Sequence, residues 1–157
     1  LGTKFSQAMG AFFTDQDGSR KPMIMGCYGI GVGRILGTVV EMHGDSRGIV
    51  WPNELSPFAV HILALASSGR VMNKRIFSQT AKLYKDLKSK GVNVLYDDRI
   101  GVSAGQKFAD ADLVGARWRV VVSEKTLVVK KVEIKKRSGG SAKLVSVSDI
   151  FKIVNGK

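Results

Sequence analysis

The chain has 157 residues, 44% of them hydrophobic, enough for one domain with a core or for a small domain and part of another. Its 25 Lys and Arg against 13 Asp and Glu give a net charge of +12, a balance that points to a polyanionic partner. No apolar run reaches the roughly 18 residues of a membrane span, and the single cysteine, Cys27, excludes an internal disulfide and any zinc site built on several thiolates.

The charge is lopsided. Residues 1–52 carry five basic and four acidic groups, whereas residues 53–157 carry twenty and nine. That bias favours a nucleic acid, with a solubilising basic surface as the alternative. A reducing, intracellular compartment fits the cysteine usage. The start at Leu1-Gly2-Thr3 suggests a piece of something longer.

Taken in order, residues 1–13 read as an extended segment, followed by a turn at Asp15-Gln16-Asp17-Gly18-Ser19. Met23 to Tyr28 reads as a strand. It feeds a passage with glycines at 26, 29, 31 and 33, closed by Arg34. Such a passage lets a backbone approach closely, and Arg34 adds a planar cationic fork. A phosphate site and tight strand–helix packing are both open readings. Residues 34–43 read as an apolar helix whose core the first 50 residues cannot complete alone. Gly44 to Pro52 reads as a linker, and Asn53 to Pro57 repeats its turn formers.

Phe58 to Leu65 is a strand apolar on both faces, with His61 as a core or edge residue. Residues 71–90 form a long amphipathic helix, with Ile76, Phe77, Thr80, Leu83, Tyr84 and Leu87 facing inward and the lysines solvated. Gly91 ends it. A second strand, Val92 to Tyr96, leads to Asp97-Asp98-Arg99, in which an aspartate is expected to pair with Arg99. Ser103 to Gln106 matches a capping box, so a helix runs from about 104 to 114 and stops at Gly115. Val120 to Ser123 is a third strand. Leu127 to Arg137 and Lys143 to Val147 read as two more around Ser138-Gly139-Gly140-Ser141, and Ser148 caps a last helix. The β-α-β-α-β start predicts parallel strands in a small α/β domain.

Four stretches then carry a resemblance: Leu1 to Ser6; Met25-Gly26-Cys27-Tyr28-Gly29-Ile30-Gly31; Arg47 to Pro52; and Asp97-Asp98-Arg99 with Lys107 to Gly115. In that order they resemble the C-terminal part of the class II prolyl-tRNA synthetases of the bacterial and organellar type, over nearly the whole chain and more loosely after residue 116. The last stretch is shared more loosely by the anticodon-binding domains of the threonyl, histidyl and glycyl enzymes.

The resemblance implies an α/β protein in which residues 1–50 end a class II catalytic domain, 51–57 link, and 58–157 form an anticodon-binding domain, a mixed five-stranded sheet flanked by helices. It implies an enzyme that activates proline with ATP and Mg²⁺ and transfers it to tRNA(Pro), a homodimer in the cytoplasm or an organellar matrix, with no membrane contact. Arg34 would clamp the ATP phosphates, with Thr3, Gly29 and Gly31 beside the nucleotide. Phe5 and Cys27 would line the proline pocket. No residue of the chain is expected to bind a metal. By analogy with related domains, Glu124, Thr126, Lys135 and Arg137 would read the anticodon. Proline anticodons share two guanines, whose edges want acceptors and donors. The chain alone is expected to be inactive in adenylate formation.

Two competing readings are a free-standing anticodon-domain paralogue acting as an RNA-binding accessory subunit, and a dinucleotide-binding oxidoreductase. The second needs an acid at a strand end some 20 residues past the glycines. Glu54 sits between Pro52 and Pro57 instead.

Overall fold

In the computed structural model, which describes residues 1–156, the chain falls into two units, Leu1–Leu36 and a second that begins at Gly37. The first starts with a short helix, α1 (Lys4–Ala8), where the sequence reads as extended. Lys4, Gln7 and Ala8 are good helix formers, the Ser6 hydroxyl donates to the Thr3 carbonyl at 3.0 Å, and Gly10 at φ 69° turns the chain away. Strands β1 (Phe12–Thr14) and β2 (Arg20–Pro22) make an antiparallel hairpin around the expected Asp15–Ser19 turn. Lys21 closes it by pairing with Asp15.

Met23 to Tyr28 is not a strand. A single antiparallel bridge, Gly2 to Met25, is its only ladder contact, and the glycines that follow leave no side chains to pair across a sheet. Helix α2 (Val32–Met42) then forms close to the expected span, but none of its residues is buried.

In the second unit, the stretch read as a linker is a small antiparallel hairpin, β3 (Gly44–Asp45) and β4 (Gly48–Ile49). Beyond it lie β5 (Val60–Ala64), α3 (Arg70–Ser89), β6 (Val94–Asp97), α4 (Ala104–Val114), β7 (Trp118–Val122), α5 (Glu124–Val128), β8 (Val132–Lys136), β9 (Lys143–Val145) and α6 (Val147–Val154). The sheet order is β6-β5-β7-β8-β9. Both neighbours of β5 run parallel to it, and β8 and β9 are antiparallel, giving the expected mixed five-stranded sheet.

The alternation of β5 divides its side chains between two layers. Val60, Ile62 and Ala64 join Ile76, Leu83 and Leu87 of α3 and Ile150 and Val154 of α6 in the main core, on which Leu127 of α5 also packs. Leu63 meets Ala111 of α4 and Val121 in a smaller one. Helices α3, α5 and α6 therefore cover one face, while α4 covers part of the other.

Two local expectations change here. Residues 124–128 are helical because Ser123 and Thr126 form a reciprocal capping box, which outweighs the β-branched pair Val128-Val129. The last helix is capped by Ser146, not Ser148, with the Ser146 hydroxyl accepting from the Asp149 amide at 3.3 Å.

Candidate functional site

Hairpin β3–β4 is seated on the C-terminal end of α4 by glycine. A Cβ on Gly48 would stand 2.4 Å from Leu113 Cα, and one on Gly115 only 2.2 Å from the Ile49 carbonyl oxygen. Gly115 also sits at φ 76° as the left-handed cap of α4. Trp51 Nε1 adds a bond to the Val114 carbonyl at 2.9 Å.

Charge completes that seat. Arg137 is only 6% exposed, and its Nη1 and Nη2 donate to the Asp45 carboxylate at 2.8 and 2.7 Å. Its Nε donates to the Asp112 carbonyl at 2.9 Å. The Arg137 guanidinium beside Asp45 holds that carboxyl well below the usual carboxylate range. Asp112 in turn accepts from Arg119 at 3.1 Å, and Arg119 lies over the Phe108 ring.

At the C-terminal ends of β5 and β6, Asp97 organises the loop as the sequence suggests. Arg99 meets its carboxylate at 2.8 and 3.0 Å and reaches Asp110 of α4 at 2.6 Å. The Arg99 contact holds Asp97 down to about 2 despite burial. Lys107, 1% exposed, donates to the Ala64 carbonyl at 2.9 Å and pairs with Asp97 at 3.3 Å. The sequence assigns Lys107 no role of its own, because its helical position gives no sign of its burial. His61 lies under α4, with Nδ1 buried and unpartnered. Burial pulls its pKa down to about 4.

The four side chains expected to read RNA are placed as follows. Glu124, exposed in the first turn of α5, accepts from the Ser67 hydroxyl at 2.5 Å. Thr126 is buried, and its hydroxyl donates to the Ser123 carbonyl and accepts from the Ser123 amide, so its one proton is spent on a helix cap. Arg137 is engaged likewise with Asp45 and Asp112. Lys135 pairs across the sheet with Arg119, on the α4 side, and is half-buried, with no ion pair to its ammonium among the described residues. Strand β8 is not at the sheet's edge, since it lies between β7 and β9.

In the first unit, the Gly2–Met25 bridge brings the strand of chain before Thr3 alongside the one before Cys27. Thr3 caps α1 through its carbonyl, without a side-chain cap bond. Phe5 is 46% exposed, Cys27 is a free exposed thiol, and Gly29 and Gly31 lie in irregular backbone. Arg34 stands in the first turn of α2, where a Cβ on Gly31 would touch its side chain at 3.5 Å. Among the described residues no three His, Cys, Asp or Glu side chains come together as metal ligands. No described helix is long and apolar enough to cross a membrane.

Comparison with known proteins agrees with this geometry. The chain is 46% identical over 157 residues to the proline–tRNA ligase of Sulfurihydrogenibium sp. (strain YO3AOP1), covering 99% of this chain and 27% of that one. It is 44% identical over 157 residues to the enzyme of that name from Aquifex aeolicus (strain VF5), covering 100% and 26%. The match to the Bacillus subtilis (strain 168) enzyme is 42% over 155 residues, covering 99% and 26%. The chain thus spans about a quarter of the length of the curated relatives it matches. Residues 60–157 match the family described as "Anticodon binding domain", covering the sheet from β5 onward, and by that match the chain belongs to the anticodon-binding domain family.

Proposed function

We propose that the chain is the C-terminal part of a proline–tRNA ligase and that its second unit binds the anticodon stem-loop of tRNA(Pro). The observation that carries this reading is the anticodon-domain match across 60–157, in the part of the chain that holds the excess positive charge. Helix α4 covers only part of its face of the sheet. Lys135 and the half-buried Glu133 on β8 share that face, and Glu124 opens α5 just past the C-terminal end of β7, beyond Val121, the partner of Glu133. Cations there would hold phosphates, while the carboxylates would accept from guanine N1 and N2. Thr126 and Arg137 act indirectly, by fixing α5 and the β3–β4 seat.

In the whole ligase the first unit would complete the site for ATP and proline. The amides opening α2 lack intrahelical partners, and with Arg34 they suit a polyphosphate. Arg34 would stabilise negative charge as the proline carboxylate attacks the α-phosphate and pyrophosphate leaves. Thr3, Gly29 and Gly31 would border the nucleotide, and Phe5 and Cys27 the amino acid. A cytoplasmic or organellar-matrix homodimer accords with this role.

The test is a fluorescence titration of the chain with a tRNA(Pro) anticodon stem-loop over a range of salt. Affinity should fall steeply with salt, and replacing both anticodon guanines should weaken binding at least tenfold. Equal affinity for both stem-loops, or a flat salt profile, overturns the reading.

A further inference from the structure

On the opposite face from Lys135, a groove of about 380 Å³ runs between α3, α5 and the start of β8. Leu127 and Val147 give it accessible apolar walls over the buried Leu83, Val122 and Val132, and its polar rim is Arg75, Gln79, Lys82, Asp86, Lys130 and Lys131. Four cations against one carboxylate make the rim strongly positive. On the α4 side the arginines are matched: Arg99 to Asp97 and Asp110, Arg119 to Asp112, and Arg137 to Asp45. Among the described residues, Arg75, Lys82, Lys130 and Lys131 form no ion pair and no side-chain hydrogen bond.

Lys130 adds a second observation. It is the one non-glycine residue at positive φ, 53°, among the described residues. It ends α5, where a glycine would sit without strain. A long cationic side chain thus occupies a backbone position that disfavours it, at the rim of a groove lined with other cations.

We infer that this groove is a second RNA site, separate from the anticodon face, which takes a single-stranded nucleotide with its base on the apolar wall and its phosphodiester oxygens on Arg75, Lys82, Lys130 and Lys131. The volume falls in the range of small-ligand pockets, the cations suit a phosphodiester, and aliphatic Leu127 and Val147 stand where an aromatic platform would otherwise take the base. Asp86 offers an acceptor to a 2′-hydroxyl or a base amino group.

The experiment is an NMR titration of the whole chain with a uridine hexanucleotide at low salt. Amide shifts should centre on α3, α5 and residues 130–132. The pair Lys130→Glu with Lys131→Glu should weaken binding about tenfold or more and flatten the log–log salt slope by about 1.4, the value for two phosphate contacts to a single strand. Arg75→Glu with Lys82→Glu, on a separate helix, should do the same. An abasic oligomer of equal charge should bind at least fivefold more weakly. Shifts confined to the α4 face, salt slopes unchanged in both pairs, or equal affinity for the abasic oligomer or inorganic phosphate each overturn the inference. Lys135→Glu separates the two proposals, because it should weaken the anticodon stem-loop and leave the hexanucleotide bound.

Discussion

Leu1–Leu36 and the unit that begins at Gly37 differ first in what they bury. In the former Ser6 alone is buried, while Ile24, Tyr28, Ile30, Val32, Ile35 and Leu36 lie open, Tyr28 at 96%. The latter holds both hydrophobic clusters and the whole five-stranded sheet. The glycine passage, the most distinctive string in the sequence, thus lies where packing is thinnest. The less distinctive basic half carries the stability. Family resemblance and thermodynamic self-sufficiency are separate properties, and here they sit in separate units.

The sharpest way to break that contrast is a pair of truncations. Ile76 is fully buried against the sheet, so Ile76→Ala should lower urea-unfolding stability by about 2–5 kcal/mol. Ile35 on α2 is 51% exposed, and Ile35→Ala should change it by no more than about 0.5 kcal/mol. Comparable losses from the two would show that the first unit shares the cooperative core.

Acid should find the second unit through His61. Its pKa is lowered by burial from 6.5 to about 4, so the unfolded chain takes up a proton that the folded one refuses. Stability should therefore fall as pH drops from 6.5 to 4, by on the order of 3 kcal/mol, and level off below. Asp97, Asp110, Arg99 and Arg119 surround the ring and modulate its charge. Asp97, held at about 2 from 3.8, adds a further loss only as pH falls below about 4. Denaturation of His61→Leu across this range is the check. If that variant keeps the full dependence between 6.5 and 4, the histidine is not its source.

What could be read from sequence follows the range of the forces involved. Helices α3 and α4 announce themselves by apolar spacing, and Ser103, Gly91 and Gly115 mark their ends, since these signals act within a few residues. The Asp97–Arg99 pairing is legible for the same reason. Helix α1 escapes because five residues hold too little periodicity, and α5 because Leu127-Val128-Val129 mimics a strand. The site is less legible than the fold. Arg137 finds Asp45 at a separation of 92 residues, and no local pattern records it. The groove cations come from α3 and from the end of α5, so only the folded chain joins Lys82 to Lys130. A signal for Lys130 did exist, a lysine where a helix-ending glycine is expected, but it has meaning only once α5 is recognised as a helix.

The smallest effect concerns the helix caps, where the two units differ again. Ser103, Ser123 and Ser146 each accept a hydrogen bond from an amide in the first turn of α4, α5 and α6. Thr3 makes no such bond with its side chain at the start of α1. Ser123→Ala should therefore cost about 1 kcal/mol in urea unfolding, because it leaves the Thr126 amide without its acceptor. Thr3→Ala should cost no more than a few tenths of a kcal/mol, since the carbonyl that accepts from the Gln7 amide survives the change. A Thr3 side chain that contributes so little to helix stability is available for another role, and on the reading proposed above the same substitution in the full-length ligase tests it. The KM for ATP in proline-dependent pyrophosphate exchange should rise while the unfolding midpoint stays put. A raised midpoint sensitivity with an unchanged KM would return Thr3 to a purely structural part.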